Sequence, residues 1–119
     1  MKNQDLWRRL GFAWSGLRFA IANERSFRTQ LLLGACAIAV LTWLRVPPTW
    51  WALFALSASL VLSLELVNTA LEQIVDRLHP EQHASIRFAK DCAAAAVLCA
   101  SCAALLTGLL AIYVTVRGR

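Results

Sequence analysis

Apolar residues recur at helical spacing from Leu6 to Ala22 and then fill three longer stretches, so the pattern predicts four helices and no strand. Over about residues 5–23, Trp7, Leu10, Trp14, Leu17 and Ile21 share one face, with Arg8, Ser15, Arg18 and Arg25 elsewhere and Phe12 and Phe19 left to pack on protein. That is the pattern of an amphipathic surface helix, with Trp at the headgroup boundary and Arg reaching for phosphates. Spans are expected over about 27–44, 49–75 and 88–116. The run from Gln30 to Leu44 is short of the roughly 20 residues a bilayer requires, which moves the start of that helix back to about Ser26. Pro47-Pro48 imposes a tight turn, Trp50 and Trp51 mark the interface again, and a polar loop from Arg77 to about Ile86 precedes the last span. The fold class is therefore an all-α membrane protein of three transmembrane helices plus the surface helix.

Composition agrees with that architecture. At 119 residues, 59% hydrophobic and a mean hydropathy of +0.56, the chain is too apolar for an ordinary soluble domain and reads as one integral membrane domain over 1–119. Its net charge of +5 sits at the ends of apolar runs, which implies an anionic lipid surface as partner and no nucleic acid. The N-terminal region carries Lys2, Arg8, Arg9, Arg18, Arg25 and Arg28 and the second loop carries Arg77, Arg87 and Lys90, against Arg45, Arg117 and Arg119 on the other side. The N-terminus and second loop are thus expected to be cytoplasmic, in a multi-pass inner-membrane protein. Met1 to Asp5 leads into the amphipathic segment without a cleavage site, so no removable signal peptide is expected. Cys36, Cys92, Cys99 and Cys102 all lie in apolar runs and are read as core filling, not as a disulfide or metal framework.

The informative stretch is Glu65-Leu66-Val67-Asn68-Thr69-Ala70-Leu71-Glu72-Gln73-Ile74-Val75-Asp76-Arg77. At about 100° per residue, Glu65, Glu72 and Asp76 fall within about 20° of one another, with Asn68 about 60° to the side. From Trp51 to Glu65 is 14 residues, about 21 Å of helix, which puts Glu65 about two-thirds of the way across. Carboxylates are costly in lipid, so the stripe must face protein, water or cations, and it marks a functional site. A polar lock between helices, or a helix end in water, is the plainer reading, but Glu65 lies too deep for it.

Acidic residues gathered at one face beside Arg and Lys, with no thiol nucleophile and no Ser–His pairing, suggest a divalent cation and phosphate chemistry. Mg2+ takes one or two carboxylates plus substrate phosphates, and Glu24 and Glu72 are candidates. Glu65, deeper and partly desolvated, suits general-base work on an amphiphile's hydroxyl. No P-loop is present, so a nucleotide would be held by metal and side chains, with Lys90 and the arginines supplying charge. Two other classes compete. A cation-coupled transporter would use an intramembrane Glu near midplane without a companion cluster, whereas Glu24, Glu72, Asp76 and Asp91 collect on one side. A scaffold built on the small-residue run Cys92 to Ala96 leaves the stripe unexplained.

Glu65-Leu66-Val67-Asn68-Thr69-Ala70-Leu71-Glu72, Val75-Asp76-Arg77 and Ala89-Lys90-Asp91 closely resemble the prokaryotic diacylglycerol kinase family, which includes undecaprenol kinases. Trp14-Ser15-Gly16-Leu17-Arg18 and Asn23-Glu24-Arg25-Ser26-Phe27-Arg28 resemble its N-terminal pattern, so the likeness covers about Phe12 to Val116. The chain departs from the family after Asp91, where Cys92 and four alanines replace the usual Gly or Ser. The resemblance implies a homotrimeric bundle with composite sites and Mg-ATP as phosphoryl donor to diacylglycerol, giving phosphatidic acid, with undecaprenol as the alternative acceptor. It implies Glu65 as general base with Asn68 positioning nearby, Glu24 and Glu72 on the metal, and Asp76, Lys90, Asp91 and His83 by the nucleotide, as Glu24 and Glu72 also would be. Trp14, Arg18 and Glu65 would meet the lipid on the cytoplasmic side.

Overall fold

A computed structural model describes residues 3–119; Met1 and Lys2, and with them the Lys2 charge used for orientation, lie outside the described residues. The described residues form four helices, α1 (Asn3–Asn23), α2 (Arg25–Leu44), α3 (Pro48–Leu78) and α4 (Ala84–Arg117), and no strand. The last three are long and apolar enough to cross a membrane.

One extended residue, Glu24 (φ −110°, ψ 106°), separates α1 from α2. The break is held by side chains. Asn23 Nδ2 donates to the Phe19 carbonyl at 2.9 Å, and the Arg28 guanidinium donates to the carbonyls of Ile21 at 2.8 Å and Ala22 at 3.2 Å. Carbonyls left over at a helix C-terminus carry partial negative charge, and a cation one turn into the next helix satisfies them.

The α2–α3 turn follows from its residues. Arg45 takes the left-handed conformation (φ 59°), so that its N–H reaches the Thr42 carbonyl and the Val46 N–H reaches Leu41. This is a Schellman closure, in which the residue after the left-handed position packs back on the last turn. Val46 and Leu41 accordingly share a core cluster with Phe54 and Ala111. Pro47 then caps α3 and Pro48 occupies its first turn, where a missing N–H costs nothing. Trp50 and Trp51, expected at the interface, are half-buried against this cluster, with Trp51 edge-on to Phe54 at 6.4 Å.

α3 and α4 make the most extensive contact, α2 packs on both, and α1 touches α2 and α3 only. At the end away from the prolines, Ala20, Phe27, Val61, Glu65, Thr69 and Ala100 are buried. Gln30 Nε2 donates to Ser101 Oγ at 3.2 Å, joining α2 to α4. The remaining surface is apolar: Trp7, Leu10, Trp14 and Ile21 of α1 are all exposed, as are many large side chains of the spans.

One expectation is corrected. The four cysteines are free but exposed, so they do not fill this chain's core. α4 is packed along one face, where Ala100 and Ala111 are buried, while Cys99 and Cys102 fall outside it. Lipid is as apolar as a protein core, so an outward thiol carries no penalty there.

Leu41 is 1% exposed. Leu41→Ala should therefore destabilise the bundle by about 2 kcal/mol, the low end for such truncations because lipid offers the unfolded helix an equally apolar medium. Leu32→Ala, at a position 65% exposed, should leave the thermal midpoint in detergent unchanged.

Candidate active site

Glu65 is 3% exposed although it is ionisable. Its carboxylate Oε1 accepts a hydrogen bond from Ser26 Oγ at 2.6 Å, across from the first turn of α2. One turn further along α3, Thr69 Oγ1 donates to the Glu65 carbonyl at 3.0 Å. The other carboxylate oxygen, Oε2, has no hydrogen-bond partner among the described residues and keeps part of the residue's small remaining exposure. Because Ser26 is the second residue of α2, Glu65 lies level with the end of that helix. It sits at the end of the α2 contact and is shielded there by protein.

Beyond Glu65, α3 outruns α2. Its 31 residues make a helix of about 46 Å against a hydrocarbon core of about 30 Å. The overhang carries the rest of the stripe. Asn68 Nδ2 donates to Glu72 Oε1 at 3.2 Å, an i,i+4 pair on one face, so Asn68 orients Glu72 and makes no hydrogen bond to Glu65. Asn68 Oδ1 is buried without a partner. Another turn out, Asp76 Oδ1 pairs with Lys90 Nζ at 2.7 Å, joining α3 to the start of α4.

Four of the residues assigned to a nucleotide line one cleft of about 720 Å³ between these helix ends: Asp76, His83, Lys90 and Asp91. Arg87 and Glu81 line it as well. His83 caps α4, its Nδ1 accepting from the Ser85 N–H at 3.1 Å, which commits that nitrogen to structure and leaves Nε2 for the cleft. Glu24 and Glu72 do not line this cleft. Glu24 stands at the N-cap of α2, half-buried, where the helix dipole favours a carboxylate; its side chain has no partner among the described residues. Trp14 and Arg18 line a separate hollow of about 450 Å³ on α1, and Glu65 is not part of it.

Among the described residues no three His, Cys, Asp or Glu side chains converge as a metal cage. Mg2+ does not require one, since one or two carboxylates with phosphate oxygens and water complete its shell. Glu24 and Glu72 fit in kind, each with carboxylate oxygen unused by the chain.

Sequence reasoning missed Ser26, which entered only as a helix start and as part of a motif. The available signal was a hydroxyl in the first turn of a span that runs antiparallel to the one bearing a deep carboxylate.

The fold and site together define a small helical membrane protein with a shielded carboxylate at one end of its bundle and a charged cleft beyond it. The chain belongs to the prokaryotic diacylglycerol kinase family, whose model matches residues 11–112. It is 41% identical to the diacylglycerol kinase of Synechocystis sp. over 98 residues, which is 82% of this chain and 56% of that protein. Against the diacylglycerol kinase of Escherichia coli K12 identity is 38% over 97 residues, 82% of this chain and 80% of the relative. Against that of Haemophilus influenzae it is 35% over 91 residues, 76% and 77% of the two chains. The family is one of lipid kinases, and the chain is a transferase of that kind.

The Asp76–Lys90 pair is solvent-exposed, so its contribution is electrostatic and open to screening. Asp76→Lys should lower the unfolding midpoint in low salt, and Asp76→Lys combined with Lys90→Asp should restore it. Both differences should fade in high salt.

Proposed function

We propose that the protein phosphorylates diacylglycerol at the expense of ATP, giving phosphatidic acid, at the cytoplasmic face of the bacterial inner membrane. The observation that carries this reading is Glu65: a carboxylate shielded by protein at the end of the bundle, with one oxygen hydrogen-bonded and the other open. An amphiphile held in the membrane would present its hydroxyl at that level. The family name and those of the relatives support diacylglycerol as acceptor.

In this mechanism Glu65 Oε2 takes the proton of the acceptor hydroxyl as the hydroxyl oxygen bonds to the γ-phosphorus. The bond from that phosphorus to the β,γ-bridging oxygen breaks, and ADP leaves with the electron pair. Phosphoryl transfer needs little covalent help beyond positioning and charge neutralisation. Asn68 holds Glu72 in register, and Glu72 and Glu24 would hold Mg2+. When bound there, Mg2+ would supply neutralisation of the phosphate charge. Asp76, His83, Lys90 and Asp91 hold the nucleotide in the cleft, where Lys90 exchanges its bond to Asp76 for phosphate. Trp14 and Arg18, on a surface helix lying along the headgroups, take the lipid.

Three copies would form the enzyme, with sites shared between chains. Support comes from the exposed apolar faces of the spans and from the separation, within one chain, of Trp14 and Arg18 from Glu65 and of Glu24 from the nucleotide cleft.

The test is Mg-ATP-dependent phosphate transfer in mixed micelles, with diacylglycerol and undecaprenol offered separately. Labelled phosphatidic acid is expected; labelled undecaprenyl phosphate alone would reassign the acceptor, and no transfer to either would overturn the reading. Glu65→Gln should lower turnover by about 10²-fold or more with ATP binding retained, the usual range for a general base. Glu72→Gln should raise the Mg2+ concentration needed for half-maximal rate. In mixed oligomers, Glu65→Gln and Glu24→Gln chains, each inactive alone, should restore part of the activity, which is measured after separating the mixed species.

A further inference from the structure

Glu65 is the one buried carboxylate of the spans, and a single side chain from another helix reaches it. That side chain is Ser26, in the first turn of α2, two residues after the Glu24 cap. The Ser26 Oγ to Oε1 distance is 2.6 Å, a well-formed O–H···O bond from hydroxyl to carboxylate. Ser26 is itself exposed, so its hydroxyl is not there to satisfy a core group of its own. Among the described residues no other donor meets either Glu65 carboxylate oxygen.

We infer that Ser26 is a positioning residue for phosphoryl transfer, fixing Glu65 through Oε1 so that Oε2 alone faces the acceptor hydroxyl. A glutamate has three side-chain torsions, and in a helix its carboxylate can swing over a wide arc unless something holds it. The α3 backbone places Glu65 Cα but does not fix the carboxylate plane. A hydrogen bond from α2 fixes that plane, and it makes the two oxygens inequivalent: Oε1 accepts from serine, and Oε2 accepts the substrate proton. The same bond ties the base to the turn that begins with Glu24. A shift of the α1–α2 junction, held by Arg28 on the Ile21 and Ala22 carbonyls, would therefore reach the carboxylate through two residues.

This rests on Glu65 acting as the base, and the experiment separates the two claims. Full-length wild type, Ser26→Ala and Ser26→Thr are assayed in mixed micelles with diacylglycerol and Mg-ATP, and kcat and KM are resolved for each substrate. Ser26→Ala should reduce kcat about tenfold, the scale of one hydrogen bond to a charged group, with KM for ATP within about twofold of wild type. Ser26→Thr, which keeps the hydroxyl, should recover most of the rate. In a Glu65→Gln background, Ser26→Ala should have no further effect, because the group it positions is gone. Unchanged kcat in Ser26→Ala, a rise in KM for ATP that matches the fall in kcat, or failure of Ser26→Thr to recover the rate would each overturn the positioning role while leaving the kinase reading intact. If wild type transfers no phosphate to either lipid, the kinase reading and this inference both fall.

Discussion

A carboxylate taken out of water between apolar helices must find a hydrogen-bond donor or a cation, since an unsatisfied buried charge costs several kcal/mol, of the order set by charge burial in proteins. Glu65 is in that position, and the arrangement of the bundle around it follows from the requirement. Ser26 can serve it only if α2 begins beside the middle of α3. That in turn requires the proline turn to return the chain at one fixed register, with Val46 folded back on Leu41 and Phe54 beside them. The polar contact at one end and the apolar cluster at the other thus set the α2–α3 register from both sides.

The overhang of α3 sorts the acidic stripe by solvent. Glu65 is buried at the bundle end, Glu72 half-buried one turn past Asn68, and Asp76 exposed. Three groups of one chemical type on one face of one helix are thereby given different surroundings, and in a polar–apolar gradient that is enough to give them different tasks. A shielded carboxylate suits proton abstraction, a half-buried one oriented by an amide suits a hard cation, and an exposed one paired with lysine suits an exchangeable contact with phosphate.

Much of this was legible in the residues. Hydrophobic periodicity gave four helices in the right order, and the arithmetic of Glu65, Asn68, Glu72 and Asp76 put them along one helix because helical spacing is local. What depends on the approach of two helices was not legible. That Asn68 serves Glu72 and not Glu65 follows from side-chain rotamers, which spacing alone leaves open. Ser26 met Glu65 through a separation of 39 residues, and nothing in either local pattern specifies such a pairing. The cysteines were misplaced for another reason: in a membrane, apolar surroundings do not distinguish a core position from a lipid-facing one, so hydropathy identifies a span without saying which face of it is packed.

The division of the candidate residues among separate places in the chain has a physical logic of its own. In the proposed reaction acceptor and donor arrive from different phases, one dissolved in lipid and one in water. A site that joins them must have an apolar approach near the bundle and a charged approach beyond it. In this chain Trp14 and Arg18 lie along α1, Glu65 at the bundle end, and Asp76, His83, Lys90 and Asp91 at the far tip of the α3–α4 hairpin. From Glu65 to Asp76 is 11 residues of helix, about 16 Å. The carboxylates along that length form a track from the buried end of the stripe to its exposed end, and Glu72 stands between Glu65 and the cleft.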